Sequence, residues 1–447
     1  MEKNLTTGNV WKNVVYFSLP FLLSYFLQSL YGMADLFITG QFNATNSITA
    51  VSIGSQVMHM LTVMIVGLAM GATVNIGQAI GAGDQKKASQ NIGNTIILFM
   101  AVAIAATVLL VALVRPIVSI MSTPAEAVEG TIQYLTICFI GIPFITAYNI
   151  ISSIFRGLGD SKSPMYFVAV ACVTNIALDY LFIGWFHLGP AGAALGTTIS
   201  QTISVIVALV TIVKRNTSIS LSKECFRPRK HIMMPILRVG IPVSLQDGFI
   251  QIAFILITVI ANRRGLDDAA AVGIVEKVIS FLFLVPSTML STVSALAAQN
   301  IGAGRHDRAR KTLKYAISIC ACFGLVVAIA IQFVAEPVVA LFDETPAVVL
   351  AGGQYLRGYI WDCVFAGIHF CFSGYFCAYE KSGISFLHNI LSILLVRIPG
   401  AYLMSQLFAN TLLPMGLAAA AGSLLSVLIC ILAFLYLRRK MPKLRGE

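Results

Sequence analysis

Five acidic side chains lie inside long apolar stretches of this 447-residue chain, where burying an ionised carboxylate is costly. They are Asp35, Asp179, Asp247, Glu276 and Asp362. Acids in such surroundings mark ion or substrate pathways. Each can bind a cation, or can hold a proton when burial or a second carboxylate raises its pKa. The sequence therefore predicts cation chemistry inside apolar elements.

Asn175 and Asp179 are spaced four residues apart and so share one face of a helix. Carboxylate and amide oxygens are hard ligands that suit Na+, and two neighbouring carboxylates can instead hold a proton. Two simpler interpretations stay open. Asp179 can bond a neighbouring helix, and Asp35, which is followed by a largely uncharged loop, can lie at the outer edge of its apolar stretch.

A second group of residues is expected to line a substrate cleft. Asp247, Gln251 and His369 serve either substrate contact or polar bonding between helices, and Arg397 is expected to pair with an acid, with Asp362 as the candidate. Glu276 is not an obvious partner of the adjacent Lys277, because consecutive residues of a helix point in different directions. The predicted cleft residues are Asp247, Gln251, Glu276, Asp362, His369 and Tyr31.

The elements that position these residues must lie in a membrane. Hydrophobic residues make up 57% of the chain and charged residues 11%, against about 25% charged in a soluble domain. Apolar stretches of about 20 residues indicate transmembrane helices, because helices satisfy their own backbone groups in lipid. The twelve predicted spans are 14–39, 48–73, 91–113, 131–154, 164–186, 191–213, 240–262, 270–297, 312–334, 353–378, 386–407 and 414–437.

The basic residues predict the orientation of these spans. Of the 30 Lys and Arg residues, 24 fall at the two termini and in alternate connections, which places both termini in the cytoplasm. The net charge of +11 then reflects topology, and no nucleic-acid partner is expected. The chain is predicted to be a multi-pass protein of the cell inner (cytoplasmic) membrane.

The chain also contains an internal repeat. Residues 78–88 and 299–309 both contain Ile-Gly-Ala-Gly, and the same offset of 221 aligns Tyr134 with Tyr355 and Phe155 with Phe376. The repeat predicts an all-α fold of two six-helix lobes related by an axis along the membrane normal. The expected divisions are an N-terminal lobe at 1–213, a basic cytoplasmic linker at 214–239 and a C-terminal lobe at 240–447. The glycine-rich connections form either tight turns or part of a gate.

Three motifs resemble the multidrug and toxic compound extrusion (MATE) family over the whole chain. They are the Gln-x-Ile-Gly-Ala-Gly connections, Phe155-Arg-Gly-Leu-Gly-Asp-Ser-Lys-Ser-Pro164, and Asn175-Ile-Ala-Leu-Asp179 followed by the Gly189–Thr197 run. The resemblance is to the prokaryotic branch with a cation site in the N-terminal lobe, and it implies that Asp35, Asn175, Asp179 and Thr197 bind the coupling ion. The other branch has a Glu in the seventh span, where this chain carries Asp247 and Gln251.

The function expected from these features is secondary antiport by alternating access, with small organic compounds exported in exchange for Na+ or H+. Five acids in the spans against Lys277, Arg357 and Arg397 favour cationic or zwitterionic amphiphiles. The alternative is a flippase for lipid or lipid-linked polysaccharide, since the folds are similar. No phosphate-binding loop and no catalytic cluster is present, so no enzyme is expected. We expect no cofactor beyond the coupling ion, membrane lipids as surroundings, and a functional monomer.

Overall fold

The computed structural model describes residues 4–214 and 222–440, and the helices of the first half follow the apolar stretches of the sequence. A short 3-10 turn at Ala125–Ala127 precedes the fifth helix, and a π-helical turn at Tyr180–Trp185 continues the seventh. These helices are α1 Val10–Phe42, α2 Thr45–Gly81, α3 Gln85–Ala112, α4 Val114–Ile120, α5 Val128–Ile140, α6 Ile142–Gly157, α7 Lys162–Asp179 and α8 Gly189–Lys214.

The second half begins after a 3-10 turn at Lys223–Phe226 and contains a second π-helical turn at Ile393–Arg397. Its helices are α9 Lys230–Asn262, α10 Leu266–Leu282, α11 Leu284–Gly302, α12 His306–Ala340, α13 Pro346–Tyr359, α14 Asp362–Ala378, α15 Ser382–Ser392, α16 Ile398–Leu407 and α17 Leu413–Lys440.

The predicted all-α membrane fold with twelve spans is confirmed. Within residues 4–214 and 222–440, eleven helices are long and apolar enough to cross a membrane, and a bent pair supplies the twelfth span. That pair, Ala125–Ile140 and Ile142–Gly157, bends by 52°. The bend follows from Gly141 and Pro143, because proline lacks the amide that would continue the hydrogen bonds of the preceding helix.

The two halves repeat the same local irregularities. The fourth span breaks at Gly141 and the tenth breaks just before Asp362, which is the equivalent position at an offset of 221. Gly83 and Gly304 end the two Ile-Gly-Ala-Gly connections with φ of +72° and +71°, a left-handed conformation that favours glycine. The glycine-rich motif therefore forms a tight turn in both halves.

The chain folds into two compact units. Unit 1 contains Leu19–Gly240, and unit 2 contains Leu5–Ser18 together with the chain from Ile241 onward. The first turns of α1 thus belong to unit 2 and the first turns of α9 to unit 1. The domain boundaries expected from the sequence stay a prediction. Part of the predicted linker, residues 215–221, and the basic residues Lys3, Lys443 and Arg445 lie outside the described residues.

Each unit has its own core and a large apolar outer face. Tyr134, Leu135 and Phe139 are buried at the centre of unit 1, and Tyr355 and Tyr359 at the centre of unit 2. Large apolar side chains elsewhere are exposed, including Trp185, Val213 and Phe333. A water-soluble protein rarely exposes so much apolar surface. Such a surface is stable in contact with lipid. The chain is a multi-pass membrane protein.

Candidate cation site

Three helices of unit 1 bring two acids, an amide and a hydroxyl together. Asp35 lies on α1, Asn175 and Asp179 lie one turn apart on α7, and Thr197 lies on α8. The Thr197 hydroxyl donates to Asp35 Oδ2 over 3.2 Å. Asp179 and Asn175 are further electrostatic neighbours of the Asp35 carboxyl. The four residues predicted from the resemblance therefore form one cluster.

Most polar atoms of this cluster have no hydrogen-bond partner among the described residues. Asp35 Oδ1, both oxygens of Asp179 and both amide atoms of Asn175 are buried and unbonded. Asp35 is 3% exposed, and Asn175 and Asp179 are 0% exposed. Buried carboxylates without a partner are strongly unfavourable. A cation bound between these oxygens, or a proton shared by the two acids, would satisfy them, so the cluster suits reversible cation binding.

Local backbone features hold the acids in place. The Thr39 hydroxyl donates to the Asp35 carbonyl over 2.7 Å. A π-helical turn begins directly after Asp179, and such turns are frequent at functional sites. Gly196 on α8 lies against Asp179, where a Cβ atom would overlap the Oδ1 oxygen. The sequence interpretation missed Gly196, whose only signal is its place in the glycine- and alanine-rich run after Gly189.

Tyr31 lies beside the cluster. It precedes Asp35 by one turn of α1 and interacts electrostatically with that carboxyl. The Gln201 side chain from α8 is another polar neighbour of its hydroxyl. Tyr31 was predicted as a substrate-cleft residue. Its position also makes it a neighbour of the cation cluster, and its role in a substrate cleft stays a prediction.

The acids of unit 2 share an arginine. Arg397 Nη2 lies 3.4 Å from Asp362 Oδ2, so the expected ion pair forms. The guanidinium also donates to the Tyr359 hydroxyl and stacks 5.2 Å from the Phe254 ring centroid. Glu276 interacts with Arg397 electrostatically and accepts from the Thr258 hydroxyl over 3.1 Å. Unit 2 thus carries a positively charged side chain beside its acids, whereas the described residues of the unit 1 cluster include no basic residue.

Within the described residues, Asp247, Gln251 and His369, the remaining predicted cleft residues, are not bonded to the group formed by Arg397, Asp362 and Glu276. No hydrogen bond or ion pair joins Asp247 or Gln251 to Arg397, in the part of the chain that the structure describes. Asp247 is half-buried on α9 near Cys377. His369 is buried on α14, with its ring 5.4 Å from that of His388 and Nδ1 unbonded among the described residues. The sequence interpretation did not single out His388.

Comparison with known proteins finds similar chains over almost the whole length of this one. The family model MatE matches residues 20–181 and 242–403, once in each half. The probable multidrug resistance protein YpnP of Bacillus subtilis (strain 168) is 29% identical over 445 residues, which is 99% of both chains. The Bacillus subtilis protein YoeA, also a probable multidrug resistance protein, is 28% identical over 80% of this chain and 79% of its own. The multidrug export protein MepA of Staphylococcus aureus (strain MRSA252) is 25% identical over 90% and 89%.

Solved structures show the same fold. A crystal structure of MATE in complex with MaL6 superposes with a TM-score of 0.90 at 24% identity, covering 99% of both chains. An outward-facing multidrug resistance MATE family transporter of the MOP superfamily has a TM-score of 0.90 at 23% identity, covering 99% of this chain and 98% of that one. A MOP superfamily transporter from Pyrococcus furiosus, described with a binding pocket of reversed polarity, has a TM-score of 0.89 at 24% identity, with the same coverage. At these identities the similarity shows the fold.

Proposed function

This chain belongs to the MatE family of efflux transporters, and on that premise we propose that it exports small organic compounds in exchange for Na+ or H+ bound at Asp35, Asn175, Asp179 and Thr197. As a member of this family it is a transporter and not an enzyme. The observation that carries the proposal is the buried cluster of unit 1, whose two acids have unbonded oxygens and no basic partner among the described residues.

The cluster provides ligands for either coupling ion. Two carboxylates, an amide oxygen and a hydroxyl form an all-oxygen set that suits Na+. The same two carboxylates can share a proton, because like charges in close proximity disfavour double ionisation. The acids come from different helices, α1 and α7. Binding and release of the ion would therefore change the attraction between these helices, which links the ion to the conformation of unit 1.

The free energy of ion entry is sufficient for export. Moving one charge through 100 mV supplies about 2.3 kcal/mol. A tenfold ion gradient adds about 1.4 kcal/mol. The sum of about 3.7 kcal/mol would sustain a several-hundred-fold gradient of a neutral substrate. When a monocationic substrate leaves as one cation enters, the voltage contribution cancels and only the chemical gradient remains.

Cationic or zwitterionic amphiphiles are the substrates that the charges favour. Of the bases in the spans, Arg397 pairs with Asp362, and Arg357 makes a two-pronged ion pair with Glu336 at 2.6 Å. Neither of these two arginines is left to bind the pyrophosphate of a flippase substrate, and of the three bases only Lys277 has no ion pair among the described residues. The names of YpnP, YoeA and MepA agree with multidrug export. We further propose an inner-membrane location, cytoplasmic termini and a functional monomer surrounded by lipid.

The experiment is efflux of a fluorescent cationic dye from proteoliposomes under Na+ or H+ gradients imposed separately. Asp35→Asn and Asp179→Asn should each reduce gradient-driven efflux at least tenfold while protein yield is kept. Asp267→Asn is the matched control, because Asp267 is an exposed acid outside the site. Wild-type efflux in both cluster variants would move the coupling site elsewhere, with Asp247, Glu276 and Asp362 as the candidates.

A further inference from the structure

Arg156 is a buried base of unit 1 that no acid neutralises among the described residues. It lies in the last turn of α6, and only 7% of its surface is exposed. Its Nε has no hydrogen-bond partner among the described residues, and no ion pair of Arg156 occurs there. The guanidinium packs 6.0 Å from the ring centroid of Phe21. Since arginine stays protonated in proteins, this position holds a permanent buried positive charge.

The acid nearest to Arg156 along the chain is used elsewhere. Asp160 accepts from the amides of Lys162 and Ser163 at 3.0 and 3.1 Å, and from the Ser163 hydroxyl at 2.6 Å. It therefore caps the start of α7. The carbonyls at the end of α6 offset part of the cost of a buried cation. The described residues supply no full counter-charge for Arg156, and a bound anionic group would supply one.

A cavity of about 30 Å³ lies beside Arg156 and is lined by further polar groups. Gln28, Asn149 and Ser152 line it, and Ser152 Oγ is buried without a hydrogen-bond partner among the described residues. A water molecule needs roughly 10–15 Å³ of such space, so the cavity has room for about two waters or for one carboxylate group. Tyr25, Gln28 and Val66 are the half-buried members of the lining, so the cavity is least enclosed on their side.

We propose that this cavity is a subsite for the carboxylate of a zwitterionic substrate, with Arg156 as the cationic partner and Ser152 and Gln28 as neutral donors. The subsite deepens the proposed export function and rests on it for the identity of the ligand. Arg and carboxylate form strong charge-assisted hydrogen bonds, because the planar guanidinium matches the carboxylate geometry. The subsite selects amphiphiles that carry both charges over purely cationic ones.

The experiment measures equilibrium binding of rhodamine B, which carries a cation and a carboxylate, and of its ethyl ester, which carries only the cation. Full-length protein in detergent is titrated by fluorescence polarisation, without any ion gradient. Arg156→Gln should weaken rhodamine B binding about tenfold, equivalent to about 1.4 kcal/mol, and leave binding of the ester within about twofold. Arg156→Lys should keep part of the preference for the acid. Arg115→Gln, which removes an exposed positive charge of the same unit, should change neither affinity.

Equal losses for the acid and the ester, or no loss for either, would overturn the proposal. If Arg156→Gln lowers the yield of folded protein, Gln28→Leu serves in its place and should weaken binding of the acid alone. A third outcome would assign the cavity to lipid and also reject the proposal. In that case the Arg156 variants would bind both dyes as tightly as the wild type does, and anionic phospholipid would stabilise the wild type. Failure of dye export in proteoliposomes, with acid-selective binding intact, would instead reject only the coupled transport function.

Discussion

The buried acids of the two units differ in whether a basic residue lies beside them. In unit 2, Arg397 is a built-in cation that pairs with Asp362 and interacts with Glu276. In unit 1, Asp35 and Asp179 lie beside an amide and a hydroxyl, and no basic residue pairs with either acid among the described residues. A permanent arginine cannot leave, whereas an ion or a proton can. We therefore propose that the coupling ion binds reversibly in unit 1.

Removing Arg397 should destabilise the protein strongly. Asp362 is completely buried, and Arg397→Met leaves it without its counter-charge at a cost of about 3–5 kcal/mol. Arg357→Met breaks the more exposed pair with Glu336 and should cost only about 1 kcal/mol. Thermal unfolding of the two variants in detergent makes the comparison. Equal losses of stability in the two variants would show that the buried Asp362–Arg397 pair contributes no more than the exposed pair.

Gly196→Ala should impair ion coupling without changing any charge. The added methyl group overlaps the Asp179 carboxylate, so either the acid or α8 must move in a close-packed interior. Gradient-driven efflux should fall about tenfold or more, because the oxygens no longer meet at one point. Gly32→Ala is the control, since a Cβ at Gly32 on α1 meets nothing within 4 Å. Wild-type efflux by the Gly196 variant would mean that the Asp179 position is not critical.

The spacing of residues revealed only part of the candidate site. Asn175 and Asp179 share a helix face by simple periodicity, so their proximity could be predicted without a partner. The contacts of Gly196 with Asp179, and of Tyr31 with Gln201, depend on which helices pack together and at what height. Arg156 was counted among the basic residues of a connection, because charge patterns do not show that a helix continues past its apolar run and buries its last turn.

At the scale of elements, apolar runs locate helices better than they locate helix ends. The seventh span was predicted at 240–262, but α9 begins at Lys230, and the ninth was predicted at 312–334, but α12 covers His306–Ala340. Helices continue beyond the hydrocarbon layer, where polar residues are free to contact water and lipid headgroups. Hydropathy measures only the part in the hydrocarbon. Gly141 and Asp362, which occupy equivalent positions of the two repeats, both lie at helix breaks that hydropathy does not indicate.

Arginines of α12 and of the turn before it hold the N-terminal segment in place within unit 2. Arg308 donates to the carbonyls of Thr7 and Gly8 at 3.0 and 2.8 Å, and Arg305 donates to that of Thr6 at 2.6 Å. Leu5 is buried at 1% exposure. These bonds satisfy backbone groups that precede α1 and fix where that helix starts.

Arg308→Ala should loosen this segment while the membrane spans stay folded. We expect amide hydrogen exchange at residues 5–9 to accelerate about tenfold, since two charge-assisted hydrogen bonds are lost. Lys311→Ala, at an exposed position of the same helix, is the control. Unchanged exchange in the Arg308 variant, or equal acceleration in the control, would show that these bonds do not hold the segment.

At the scale of the whole molecule, the sequence predicted the architecture well. The MatE model matches each half over stretches of the same length, displaced by 222 residues, close to the offset of 221 that the glycine-rich motif indicates. Apolar runs and repeated motifs are spread along the chain, so many weak signals agree. The orientation in the membrane depends on a different signal, the distribution of Lys and Arg, and it stays a prediction.

Cysteine labelling tests that orientation directly. Positive residues resist translocation, so both termini should be cytoplasmic, and the first turns of α5 and α10, which carry Glu129 and Asp267, should face outward. Both residues are exposed, and cysteines placed there should react with a membrane-impermeant maleimide in intact cells. Lys86→Cys and Lys381→Cys, also exposed but in predicted cytoplasmic turns, should react only after the cells are opened. The background needs only Cys322→Ser, because the other eight native cysteines are buried. If the Lys86→Cys or Lys381→Cys variant were labelled in intact cells while the Glu129 and Asp267 positions were protected, the topology would be reversed, and with it the direction of transport proposed above.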